Sequence, residues 1–326
     1  TNGGVGIAER VQDTRAAQVT EARRVRRAIC RHGGECAALV AEGTSDDSHG
    51  PQYSCVGGRR HGLLPFATMI FEGIDNFRRR LAAGEVLLGS AICLTDPQAS
   101  EALADSVDFL WIDLEHTPMG PEAMRGHLMA ARGRRRAMVV RVPGSDTAII
   151  KPILDAGAPG IVVPQVSSVA EVRGIIDDCR YPPVGHRGFG PLVASDYGRM
   201  GDGYVERANN SLFVSVMIEC TEAVDLIDEI VALPGLDSVV LGPYDLSGSF
   251  GVLGQVDHPD VVAAMERVIA AARARSLPVG SGMPADPEFA VLQASRGVQW
   301  LQMGGDIGYM MSATQDTMTT VRQRLS

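Results

Sequence analysis

Residues 107–116 read VDFLWIDLEH. The centre of this stretch is an apolar run with no polar alternation, which is how a strand reads when both of its faces are buried. Strands of that kind belong to parallel sheets covered by helices. The same stretch closes on Asp113, Glu115 and His116. A core strand therefore carries two carboxylates and an imidazole at its end, and the fold has to explain where that end lies.

Helical patterns flank the stretch on both sides. DPQASEALAD (96–105) opens with an Asp-Pro start signal, and GPEAMRGHLMAAR (120–132) follows. Before them come FRRRLAAGE, a short helix ending at Gly84, and the strand VLLGSAICL (86–94). After them the alternation continues. AMVVRVP (137–143), GIVVPQV (160–166), LFVSVMIE (212–219), LDSVVLGPYDLS, LPVGSG and VQWLQMGGD each hold a strand. SDTAIIKPILDAG, SVAEVRGIIDDCR, EAVDLIDEIVAL, VVAAMERVIAAARARS, DPEFAVLQASR and a closing segment read as helices. Eight strand–helix units predict an α/β fold, a TIM (β/α)8 barrel. A doubly wound open sheet is the competitor, but GSAICLTDPQ lacks the glycine fingerprint that would favour it. A long loop is expected over roughly 181–210.

Residues 1–72 differ in texture, with Arg clusters, Gly pairs and little periodicity. They are expected to form an irregular, mostly loose N-terminal extension to a barrel domain over 73–326, with a helix possible over 8–30. The alternative, an Arg-rich arm for nucleic acid or a partner, is weakened by interspersed acids and few aromatics.

Composition narrows the function. Of 326 residues, 45% are hydrophobic and 21% charged, enough for a large core. The net charge of -9 argues against nucleic-acid binding, which needs Lys and Arg in excess. No apolar run is long enough for a membrane span. The six cysteines (Cys30, Cys36, Cys55, Cys93, Cys179, Cys220) show no CxxC spacing. A reducing cytoplasm is the expected location, and the first residues lack a signal-peptide pattern.

In a TIM barrel the active site lies at the C-terminal ends of the strands. There the sequence places Asp113, Glu115 and His116, then Arg141, Gln165, Glu219 and Asp245. Any one of these has an ordinary structural reading. Asp245 could cap a helix, Arg141 could pair with a surface acid, and His116 could be a satisfied core histidine. Together they are costly to gather unless something offsets their charges. Two carboxylates without a thiol suit a hard divalent cation, Mg2+, Mn2+ or Co2+. Lys151 lies inside a helix pattern and no Lys ends a central strand, which weakens Schiff-base chemistry.

The stretches FRRRLAAGEVLLG, WIDLEHTP, RVP, GIVVPQV, CRYPPVGHRGFGP, VMIE, GLDSVVLGPYDLSGSFG and HPDV resemble the HpcH/HpaI family of class II, metal-dependent pyruvate aldolases. The resemblance covers about 77–326. It implies a carbon–carbon lyase of the 2-dehydro-3-deoxyglucarate or hydroxy-oxo-heptanedioate aldolase type. It implies Glu219 and Asp245 as metal ligands and Arg141 as the group that holds the keto acid and stabilises its enolate. It implies His116 with Asp113 as an acid–base dyad, with Asp155 a further acid nearby. It implies that the amides of Gly242, Pro243, Tyr244 and Asp245 cradle the pyruvate carboxylate, and that the chain forms a homo-oligomer, a hexamer. The implied reaction is reversible cleavage of a 4-hydroxy-2-oxo acid to pyruvate and an aldehyde through a metal-bound pyruvate enolate. One departure stands out: some members have Gln two positions before the metal-binding Glu, where this chain has Met217. His186 and Arg187, in the long loop, are candidates for a distal substrate contact or plain surface residues. A CoA-thioester lyase or an oxaloacetate decarboxylase on the same barrel, or a non-catalytic scaffold, are the alternatives.

Overall fold

The computed structural model describes residues 69–326. The expected helix over 8–30 and Cys30, Cys36 and Cys55 lie outside the described residues, as does nearly all of the expected extension. Eight strands form a closed parallel barrel in chain order, with β8 pairing back onto β1. They are β1 (Leu87–Ile92), β2 (Phe109–Asp113), β3 (Ala137–Arg141), β4 (Gly160–Val163), β5 (Phe213–Ile218), β6 (Ser238–Leu241), β7 (Val279–Met283) and β8 (Trp300–Gly305). The continuous apolar runs follow from this closure, because one face of each strand packs inside the barrel and the other under the helices.

The helices are α1 (Met69–Ala82), α2 (Gln98–Leu103), α3 (Pro121–Gly133), α4 (Thr147–Asp155), α5 (Val169–Cys179) and α6 (Tyr204–Ser211). They continue with α7 (Thr221–Asp225), α8 (Ile227–Ile230), α9 (Pro243–Ser249), α10 (Pro259–Ala274), α11 (Pro287–Arg296) and α12 (Asp306–Leu325). Polar side chains cap three of the starts on the outside of the barrel: Asp146 accepts from the Ala148 amide, Ser168 from Glu171 and Asp286 from Phe289. Three expectations change. The single helix expected at 222–233 is two short ones, α7 and α8. The long loop ends in α6. The boundary expected at 72/73 falls inside α1, whose Ile70, Phe71, Ile74 and Phe77 are buried.

α1 closes the N-terminal end of the barrel. Phe77 meets Phe109, Phe213 and Trp300 edge-on, with ring centroids 5.2, 5.5 and 5.8 Å away. Glycine makes room for these rings. A Cβ on Gly280 would lie 2.2 Å from Trp300, and one on Gly89 2.5 Å from Phe109. The buried indole N–H of Trp300 donates to Ser238 Oγ at 2.9 Å. Strand alternation then carries the inward face from this apolar floor to the opposite end. Phe109 and Trp111 lead to Asp113, Ala137 and Val139 to Arg141, Phe213 and Met217 to Glu219.

Candidate active site

Adjacent strands put the first pair together. Asp113 and Arg141 are register partners on β2 and β3, so both side chains point into the mouth. Arg141 Nε donates to Asp113 Oδ1 at 2.9 Å and Nη2 to Oδ2 at 2.6 Å, a bidentate fork. Arg141 Nη1 also lies 3.2 Å from Glu115 Oε2. Burial works against the guanidinium charge, but the Asp113 hydrogen bonds and the Asp113, Glu115 and Glu219 charges outweigh it and move its pKa up. A guanidinium has five N–H donors. Three are engaged by the two acids, which leaves two for a ligand.

This geometry corrects the expected dyad. The Asp113 carboxylate does not touch the His116 ring. It is taken by Arg141, whose side chain emerges beside it, and it accepts the backbone N–H groups of Glu115 at 3.1 Å and His116 at 3.4 Å. Asp113 therefore sets the turn that carries His116 rather than its tautomer. The partner of the imidazole is Glu115, with Nε2 and Oε2 3.6 Å apart. Glu115 also accepts from Gln165 Nε2 at 3.1 Å. The imidazole itself is 61% exposed and lines the mouth.

The second group comes from β4, β5 and β6. Glu219 is buried just past the end of β5. The Gln165 backbone has φ 56° and turns its N–H onto Glu219 Oε1 at 2.6 Å. A non-glycine residue in that region is uncommon and marks a constrained position. Burial, then the charges of Asp245 and Glu115, push the Glu219 carboxyl up to about 7, against the opposing pull of the Gln165 amide and Arg141. Gly242 is required beside it, since a Cβ there would lie 2.5 Å from Glu219 Oε2. Asp245 stands in the first turn of α9 and lines the same cavity of about 300 Å3 as His116, Arg141, Tyr244 and Gly242. The expected cradle of amides narrows. Pro243 has no N–H, and the Gly242 amide donates to Ile218 O at 3.3 Å. Tyr244 and Asp245, at the start of the helix, keep N–H groups with no intrahelical acceptor.

A match to the HpcH/HpaI aldolase/citrate lyase family spans residues 95–313. The chain belongs to that family. It is 35% identical to a 5-keto-4-deoxy-D-glucarate aldolase of Enterobacter sp. (strain 638), over 74% of this chain and 94% of the relative. It is 34% identical to a hydroxypyruvate/pyruvate aldolase of Roseovarius nubinhibens, over 76% of this chain and 97% of the relative. The crystal structure of an HpcH/HpaI aldolase/citrate lyase family protein from Burkholderia cenocepacia superimposes with a TM-score of 0.72 at 32% identity, covering 76% of this chain and 99% of the other. As a member of the HpcH/HpaI family the protein is a carbon–carbon lyase, and the scaffold alternative falls away.

The residues present fit a divalent cation. Among the described residues no group of three or more His, Cys, Asp or Glu side chains comes together for a metal. The candidate donors that the mouth offers are two carboxylates, Glu219 and Asp245. One or two carboxylates, completed by water and ligand oxygens, is what Mg2+ takes. The raised pKa of Glu219 has the same meaning, because a buried carboxyl beside other acids resists ionisation until a cation offsets its charge.

Three expected residues, Asp155, His186 and Arg187, lie elsewhere in this HpcH/HpaI barrel. Asp155 ends α4, just ahead of the start of β4, because each helix of a βα unit runs back toward the beginning of the next strand. It therefore sits at the closed end and accepts from Arg187 Nη2 at 2.7 Å. The long loop joins α5 to β5 and lies at that end too, so within one chain it does not shape the mouth. Arg187 is buried with its guanidinium 4.6 Å from the Tyr181 ring centroid, while His186 is exposed beside Asp178. Sequence reasoning missed Asp306, whose carboxylate accepts from the Cys93 and Leu94 amides at 3.1 and 3.0 Å and ties the end of β1 to the start of α12. It also missed Trp111, Met283 and Gln302 as lining residues. Strand alternation from Trp300 would have placed Gln302 inward.

Proposed function

We propose that this protein catalyses metal-dependent, reversible retro-aldol cleavage of a 4-hydroxy-2-oxo acid to pyruvate and an aldehyde. The observation that carries the reading is that Glu219, Asp245, Arg141 and His116, drawn from four strand ends, all face one mouth. Glu219 and Asp245 would hold a divalent cation, which would supply Lewis acidity and positive charge at the keto acid. The remaining steps are carried by the chain. The Tyr244 and Asp245 N–H groups receive the substrate carboxylate at the start of α9. The two spare N–H donors of Arg141 meet the C2 oxygen, where negative charge grows. His116 takes the proton from the C4 hydroxyl as the C3–C4 bond breaks. The C4–O bond becomes the aldehyde carbonyl, the bonding pair of C3–C4 moves into the enolate, and protonation at C3 gives the methyl group of pyruvate. Glu115, 3.6 Å from the imidazole, orients the ring toward the mouth.

The relatives named above, a 5-keto-4-deoxy-D-glucarate aldolase and a hydroxypyruvate/pyruvate aldolase, support a hydroxylated aldehyde half and pyruvate as the nucleophile. The decisive experiment is pyruvate release from a 4-hydroxy-2-oxo acid, measured with and without a chelator. Release that is absent, or that persists unchanged in the chelator, overturns the reading.

We also propose self-association into a homo-oligomer. Along α12, Met310, Met311, Met318, Val321 and Leu325 are exposed apolar residues on a helix whose only buried residue is Asp306. A second copy of the chain is the natural cover for such a face. Light scattering that returns a monomer mass removes this part. Residues 1–72 are taken to be dispensable for chemistry only up to the start of α1. None of the helices among the described residues is long and apolar enough to cross a membrane.

A further inference from the structure

The charged side of the mouth serves the keto acid, and the β7–β8 side has no role in that chemistry. That side presents Gly282, Met283, Pro284 and Gln302. Gln302 is its only side chain with strong hydrogen-bonding atoms. Nε2 of Gln302 donates to the Gly304 carbonyl at 2.5 Å. A carbonyl can only be met by the NH2 end of a carboxamide, so this bond determines which end of the amide is which. Oε1 is then the outward atom, and among the described residues it accepts no hydrogen bond. It lies over Gly282, 3.0 Å from where a Cβ would stand, a position that a larger residue would contest. The result is an oriented, part-buried acceptor beside a thioether and a proline ring. An oriented acceptor selects a donor.

We propose that Gln302 is a specificity-determining residue whose Oε1 accepts a hydrogen bond from a hydroxyl on the aldehyde half of the substrate. The inference rests on the aldolase reading and deepens it. Pyruvate occupies the side formed by Arg141, Glu219 and Asp245, and His116 works on the C4 oxygen. β8 lies beyond β1 from the strand that carries His116, so the group reaching Gln302 is a substituent past C4. The preferred class is thus a 2-hydroxyaldehyde over an alkyl aldehyde of the same size. The apolar atoms of Met217 and Met283 in the same cavity supply shape but cannot make that distinction. A site with one acceptor for a substrate hydroxyl discriminates against the analogue lacking it, because the acceptor is then left unpaired.

The test uses the full chain with Mg2+ and pyruvate, and compares aldol addition to glycolaldehyde and to propionaldehyde, which differ by a hydroxyl in place of a methyl. The wild type should favour glycolaldehyde in kcat/KM. Gln302→Met removes the acceptor at similar volume and should lower that preference about tenfold, the worth of one neutral hydrogen bond. Gly282→Ala should lower it in the same direction by displacing Oε1, and it decides the question alone if Gln302→Met does not fold. Proton exchange at the pyruvate methyl in D2O, measured on the wild type, reads the enolate half without any aldehyde. No exchange would overturn the aldolase reading and the role of Gln302 with it. Exchange with an unchanged aldehyde preference in a folded variant would overturn the role of Gln302 alone.

Discussion

The two ends of this barrel are built from the same strands and obey opposite rules. At the closed end the inward residues are Phe109, Phe213 and Trp300, sealed by Phe77 of α1 and fitted around Gly89 and Gly280. At the mouth, two or three alternation steps later, they are Asp113, Arg141 and Glu219. The first set gains free energy by leaving water. The second set costs free energy to bury and is held by mutual pairing: Arg141 by two acids, Glu219 by a strained amide. The contrast teaches that stability and chemistry are segregated along the strand axis, so substitutions at the two ends should damage different observables.

Glu219→Gln should break the mouth most completely. It removes the buried carboxylate proposed to hold the cation, and turnover should be abolished while the barrel still melts cooperatively. Substantial turnover that survives chelation would place the metal elsewhere. His116→Ala should cost roughly 10²–10⁴-fold in kcat with little change in Tm, since the ring is 61% exposed. Cleavage should suffer more than proton exchange at the pyruvate methyl, because the proposed contact of Arg141 with the enolate oxygen is left in place. Equal losses would move the base role to another group.

At the closed end the sign of the effect should reverse. Trp300→Ala removes a fully buried ring and leaves Ser238 without its donor. It should lower unfolding free energy by about 3–5 kcal/mol. Denaturant melts check this, and a loss confined to kcat would contradict the segregation. A truncation starting at residue 73 tests the same end. It deletes Ile70 and Phe71 from the core and should destabilise the barrel, whereas one starting at residue 65, where the compact barrel unit begins, should not.

Arg141→Lys sharpens the comparison further, since it keeps the charge and loses the fork. We expect a fall of about 10²-fold in kcat; a change in KM alone would reduce Arg141 to a binding role. The smallest effect is on pH dependence. The Glu219 carboxyl titrates near 7 in the folded chain against an ordinary 4.5. The folded state therefore binds more protons than the unfolded one, and the metal-free protein should lose stability as pH rises from about 4.5 to 7. A Tm decline of roughly a few degrees over that window should be reduced by Mg2+ and absent in Glu219→Gln. A decline that is the same in the variant would assign it to another group.

Much of this was legible in the sequence, for identifiable reasons. Apolar runs at strand spacing, alternating with helical periods, call for a parallel sheet covered on both faces; eight such units without a glycine fingerprint after the first strand favour the closed barrel over the doubly wound sheet. Barrel closure then implies where strand ends point, so Arg141, Glu219, Asp245 and His116 could be named as mouth residues from order alone. What order could not supply was pairing. The Asp113 carboxylate lies nearer in sequence to His116 than to Arg141, yet the β2–β3 register places Arg141 beside it and a bidentate fork takes it. Asp155 was placed near the site by resemblance and the long loop by its His186 and Arg187, but they follow helices, and within one chain of a βα barrel the end of a helix is at the far side from the chemistry. Only the tertiary structure decided that Gln165 turns its amide on Glu219, that Gly242 must lack a side chain, and that Gln302 stands with an acceptor turned outward. Each of these depends on distances between strands that chain order does not encode.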